Sequence, residues 1–161
     1  MRKFLNRLRR DTRGSMLIET AFVAPMLITM SLAGVEVSSI IARQHELQSA
    51  ASNAAEIIVA AEPKTSTERT EIIAAVGTYL EKQTKLKKVA AFDGPNQIRV
   101  YRLWRCGNTD GYKTEKSGCI TGTNVSAFLV IEMKENYTPV WTKFHLGRDM
   151  KFHVKRTVQI G

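Results

Sequence analysis

The stretch 15–35, SMLIETAFVAPMLITMSLAGV, decides the fold of this chain, because its 21 residues carry a single charge, Glu19. A helix needs about 20 predominantly apolar residues to cross the hydrocarbon core of a bilayer. A helix on the surface of a soluble domain would repeat polar side chains at helical spacing, but after Thr20 only Thr29 and Ser31 are polar before Val35, so no solvated face can be drawn. The soluble alternative is a fully buried core helix. A basic block directly ahead of the run argues against it, since that is the usual flank of a targeting segment.

The block is residues 1–14, where Arg2, Lys3, Arg7, Arg9, Arg10 and Arg13 stand against Asp11 alone. It holds more than half of the chain's formal charge of +9, which comes from 24 Lys+Arg and 15 Asp+Glu in 161 residues. With 43% hydrophobic and 24% charged residues, the composition is that of a folded protein rather than a disordered tail. A basic surplus of this size points first to nucleic acid or to an anionic membrane surface. Six basic residues precede the span and Arg43 alone lies in the twenty that follow it, so the positive-inside rule keeps the N-terminus in the cytoplasm and exports the rest.

Cys106 and Cys119 fall in the exported part, where an oxidising compartment favours a disulfide; closing so short a loop stabilises by about 3 kcal/mol in the loop-entropy model. A metal site using these cysteines with His145 or His153 is the rival, but there is no C-x-x-C pair and no regular histidine spacing. Nor do the residues assemble an enzyme. There is no G-x-S-x-G, no phosphate-cradling glycine loop and no paired carboxylates at informative spacing, and Ser117, Thr121 and Ser126 have no recognisable base. The expectation is a non-enzymatic chain with no cofactor and no metal.

Three fates are open to the apolar stretch. A signal peptide would be cut at a small-x-small site such as Ser31-Leu32-Ala33, and a plain signal anchor would be kept whole. Neither explains Glu19, whose carboxylate costs roughly 2.5 to 3.5 kcal/mol within a span on insertion scales. The third fate rests on the pattern Arg13-Gly14-Ser15-Met16-Leu17-Ile18-Glu19, a basic leader ending in Gly with Glu as the fifth residue beyond it. RGSMLIETAFVAP resembles the opening of TadE-like pseudopilins of the tight-adherence (Flp) pilus system, with Gly14, Glu19 and Pro25 at the matching spacings and Thr20 where that group often has an aromatic residue.

The resemblance implies cleavage between Gly14 and Ser15 by a prepilin peptidase, and pairing of Glu19 with a Ser15 amine of its own or a neighbouring subunit. Pro25, which lacks a backbone donor, would kink or locally open the helix. Partners implied are the peptidase, other pilin or pseudopilin subunits and the inner-membrane assembly platform. The location implied is the inner membrane, single-pass with the head periplasmic, or an extracellular pilus; nucleic acid becomes a minor possibility. The rival function is a signal-anchored periplasmic binding protein that does not polymerise.

Beyond the span, Ile40, Leu47, Ala51, Ala54, Ile58 and Ala61 trace a narrow stripe, with Arg43, Glu46, Ser49, Asn53 and Glu56 on the opposite flank. Pro63 ends this helix, which spans about 48 residues or roughly 70 Å. Thr65 and Glu68 form a capping-box pattern that opens a second helix faced by Ile72, Ile73, Val76, Tyr79, Leu80 and Gln83. Lysines 82, 85, 87 and 88 read as its solvated C-terminal end. A turn over Asp93-Gly94-Pro95-Asn96 precedes three strands: residues 97–105, a central strand over 125–133, and one carrying Phe152, Val154, Val158 and Ile160. The expected chain is therefore α+β: a leader 1–14, a transmembrane helix 15–36, its continuation 37–62, and a head 63–161 built on a small antiparallel sheet of about three strands.

Overall fold

The computed structural model describes residues 13–107, 111–119, 124–144 and 147–160. Leader residues 1–12, turn residues Asn108 and Asp110, Thr121 and His145 lie outside the described residues. The chain divides into two compact units, Met1–Ser39 and Ile40–Gly161. One helix, α1 (Arg13–Ala61, 49 residues), contributes to both.

Within the second unit, α1 buries Leu47, Ala50, Ala51, Ala54 and Ile58 completely. Three of these five buried positions are alanines, the small residues expected along the narrow stripe. Ala61, expected on this stripe, is exposed. The helix ends there, and Glu62 turns the chain through positive φ (41°) into Pro63.

Helix α2 (Ser66–Thr84) opens on the capping box anticipated from Thr65 and Glu68. Thr65 Oγ1 accepts from the Glu68 amide, and Glu68 Oε2 accepts from the Thr65 amide. Val76, Gly77, Leu80 and Thr84 form its buried side. Thr84 rather than the exposed Gln83 completes that face, because its hydroxyl is satisfied locally, donating to the Leu80 carbonyl (2.8 Å) and accepting from the Leu86 amide (3.3 Å). Lys85 caps the helix in the left-handed conformation (φ 61°).

The lysines that follow are not a solvated helix end. Lys87–Lys88 form strand β1, and the Lys88 side chain crosses Gly77 to place its Nζ on the Ala74 carbonyl (3.2 Å). A Cβ at Gly77 would meet that side chain at 2.7 Å, so glycine provides the crossing point.

The sheet is mixed and has five strands rather than three. It consists of β1, β2 (Gln97–Cys106), β3 (Tyr112–Lys113), β4 (Val125–Tyr137) and β5 (Met150–Gln159), in the order β1-β2-β4-β5, with β3 pairing β2. The three long strands are the antiparallel set expected. The additions are two-residue strands, β1 parallel and β3 antiparallel to β2, too short to show any periodicity.

Pairing is unbroken from Gln97↔Lys134 to Cys106↔Val125, and from Phe128↔Gln159 to Tyr137↔Met150. It therefore sorts the side chains cleanly onto two faces. The inner face supplies Ile98, Leu129, Ile131, Met133, Phe152 and Val158 to the same core as the α1 stripe and Val76, Leu80 and Leu86. Cys106 and Cys119 are joined in a disulfide with Cα atoms 5.4 Å apart, closing the loop that carries β3.

Candidate functional site

Two places concentrate chemistry: the first unit's stretch of α1, and the polar contacts that clamp and decorate the head. In the first unit, large apolar side chains point outward all around the helix, from Met16 (74% exposed) and Phe22 (78%) to Val35 (67%). The helix Met16–Ala61 contains a window of mean hydropathy 1.7, long and apolar enough to cross a membrane. The hydroxyls along it are folded back onto the helix: Thr20 Oγ1 donates to the Met16 carbonyl (2.8 Å), Thr29 to Met26 (2.9 Å), Ser31 to Leu27 (2.8 Å) and Ser39 to Val35 (3.0 Å). Each polar group so satisfied is compatible with a medium that cannot hydrogen-bond.

Glu19 is the exception. It is exposed on this surface and, among the described residues, has neither a hydrogen bond nor an ion pair. It is the fifth residue beyond Gly14 at the start of α1, and Pro25 lies on the same helix, which continues through the proline without a break. Removal of the Pro25 amide leaves the Ala21 carbonyl without its usual i+4 donor. Gly14 and Ser15 begin the helix beside Arg13. Glu36, just past the apolar run, is buried (8% exposed), a feature the sequence pattern gave no reason to expect.

In the head, Arg43 holds three elements together. Its Nε donates to both carboxylate oxygens of Glu135 on β4 (3.0 and 2.9 Å), Nη1 to Glu46 Oε2 (2.7 Å), and Nη2 to the Thr84 carbonyl at the C-terminus of α2 (2.7 Å). The reading of Arg43 as part of a solvent flank is thus corrected. The Arg43 side chain is 21% exposed and that of Glu135 13%, so the pair is largely desolvated. A cation also sits well against the exposed carbonyl end of a helix. The signal in the sequence was the pairing of Arg43 with Glu46 one turn on; Glu135, 92 positions away, was invisible without the sheet.

On the outer sheet face a second network connects β2, β4 and β5. His153 Nε2 lies 2.7 Å from Glu132 Oε1, and the Tyr101 hydroxyl donates to Glu132 Oε2 (3.2 Å). The Arg99 guanidinium stacks 3.8 Å from the centre of the Tyr101 ring and 5.7 Å from that of Phe92, while Lys134 Nζ lies 4.3 Å from the Phe92 ring centre. Burial by itself would raise the Glu132 carboxyl, but hydrogen bonds from His153 and Tyr101 outweigh it and hold the group below its ordinary value of 4.5. Burial pushes the Tyr101 hydroxyl up, and the Glu132 charge adds to that.

The stability that Glu132 contributes is consequently complete above pH 4.5 and is lost as pH falls through its lower native value. In melts between pH 7 and pH 3, wild type exceeds Glu132→Gln at neutral pH, and the gap narrows below pH 4.5. A constant gap down to pH 3 would contradict this assignment.

Tyr137 packs on Phe152 (centroids 5.9 Å apart), Pro139 is buried and Trp141 is half-buried, so the segment around Pro139 closes the base of the sheet. Among the described residues no group of three or more His, Cys, Asp or Glu is placed to hold a metal ion. His153, one of the histidines considered for such a site, is engaged with Glu132 instead.

Residues 14–56 match the family model for TadE-like protein, the family of the tight-adherence pilus system to which the opening residues bear resemblance. Neither the curated proteins nor the solved structures provide a match.

Proposed function

We propose that this chain is a minor pilin or pseudopilin of a tight-adherence (Flp-type) pilus, cut by a prepilin peptidase between Gly14 and Ser15 and then assembled with other pilin-type subunits to support surface attachment. The role is structural, and the observation that carries it is Glu19: a carboxylate with no hydrogen bond or ion pair among the described residues, on an otherwise apolar helix surface, inside the TadE-like match and five residues beyond Gly14. Such a charge is costly in lipid unless an assembly neutralises it. Cleavage supplies the neutralising group, because it creates an ammonium on Ser15. The apolar surface around Glu19 then packs against equivalent helices, whose side chains can also re-satisfy the carbonyl freed by Pro25. In this reading the N-terminus faces the cytoplasm and the head lies beyond the inner membrane.

Glu19→Ala separates assembly from folding. The variant inserts in the membrane and its head melts as wild type does, while its recovery in sheared pilus fractions falls about tenfold or more, equivalent to ~1.4 kcal/mol of docking energy. Undiminished incorporation would remove the docking role. A signal-anchored binding protein that never polymerises predicts no pilus-associated chain for either protein.

A further inference from the structure

The register places Lys87, Arg99, Arg105, Lys134, Lys151 and Lys155 on the outer sheet face, where the strands supply one carboxylate, Glu132. Residues 15–161 contain eighteen basic and fourteen acidic residues. The strand residues of this one face therefore carry a net +5, more than the net +4 of the whole chain beyond Gly14. The fold thus gathers the positive charge on one side of one sheet.

The most accessible part of the face is the edge strand. Along β5 the outer row runs Lys151, His153, Lys155, Thr157 and Gln159, and all five are exposed. Alternate residues on a strand are about 6.8 Å apart, so the row offers cationic or protonatable groups at fixed spacing and then two neutral hydrogen-bonding side chains. Nothing apolar interrupts it.

The geometry points to an acidic polysaccharide as the ligand of this face, lying along β5 with its carboxylates on Lys151 and Lys155 and its hydroxyls on Thr157 and Gln159. Charge complementarity selects a polyanion. The arrangement of the rings distinguishes among polyanions: the β5 row carries none, Tyr101 is covered by Arg99 at 3.8 Å and Phe92 by Lys134 at 4.3 Å, and the exposed Tyr112 lies on β3 at the opposite edge of the sheet, so no free aromatic face lies along β5 for nucleic-acid bases to stack on. The β5 row also lacks the apolar side chains that would insert into a lipid surface. Where the head would meet such a polymer rests on the proposed export of the head. The binding itself does not.

The test is binding of alginate, one carboxylate per sugar, to the full chain in zwitterionic detergent micelles at low salt. Lys151→Glu/Lys155→Glu is compared with Lys64→Glu/Lys82→Glu, which makes the same change in net charge at exposed positions on the helical side. The expected result is wild-type affinity for the helical pair and a loss of about tenfold or more for the β5 pair. Lys151→Gln/Lys155→Gln, which removes charge without reversing it, gives an intermediate loss with an unchanged melt. The proposal is overturned if wild type does not bind alginate or if the two reversal pairs lose affinity equally. Tighter binding to a single-stranded oligonucleotide, or to vesicles containing phosphatidylglycerol, would also overturn it. None of these results bears on whether the chain begins at Ser15, so the two proposals fail separately.

Discussion

Arg43→Ala lowers the stability of the head by about 3 kcal/mol, the scale expected when one partner of a largely buried ion pair is removed and the other is left uncompensated. Two costs combine. Glu135 keeps a desolvated carboxylate without the Nε–H shared between its two oxygens, and the Thr84 carbonyl loses the hydrogen bond that ends α2 (2.7 Å). Arg43→Lys recovers only part of the loss, because an ammonium cannot span both Glu135 oxygens and also reach Thr84. In a double-mutant cycle, Arg43→Ala/Glu135→Ala costs less than the sum of the single changes, with a coupling of about 1–3 kcal/mol. Thermal or denaturant melts followed by tryptophan fluorescence measure all four variants, Glu135→Ala included. Additive single losses would show that the contact is a surface pair of little consequence.

Ile131→Ala costs about 2–5 kcal/mol, the range for truncating a large aliphatic side chain in a close-packed core. Ile131 is fully buried at the middle of β4, opposite Val100 on one side and Arg156 on the other, with strands on both flanks that cannot collapse into the space. Val59→Ala provides the contrast. Val59 is 59% exposed on α1, and its truncation changes stability by no more than about 0.5 kcal/mol. Equal melting shifts for the two changes would mean that the core does not lie between α1 and the sheet.

Legibility in the sequence follows how local each interaction is. The long helix, its Pro63 stop, the Thr65–Glu68 capping box and the central position of β4 all rest on patterns within a few residues, and the structure contains them. Errors appear where the deciding partner is distant or the element is too short. Arg43 looked like a flank residue because Glu135 is 92 positions away. Gln83 looked like a better continuation of the α2 face than Thr84, since periodicity cannot reveal a hydroxyl satisfied by its own helix. Lys87 and Lys88 looked like a helix tail because a two-residue strand carries no repeat, and β3 was missed for the same reason.

The N-terminal pattern is of a different kind. Glu19 stands out as the one charge in an apolar run, Gly14 and Pro25 enter through the resemblance, and the structure adds that Glu19 is exposed while the neighbouring hydroxyls are internally bonded. The surface charge was only half legible. Its amount could be counted along the chain, but its collection on one sheet face depends on the register of four strands.

The most direct test of the central claim is the intact mass and N-terminal sequence of the chain purified from its native host. The account predicts a mature protein that begins at Ser15, lacking the six basic residues of the leader. A start at Gly34, or a chain that retains Met1 through Gly14, would contradict it.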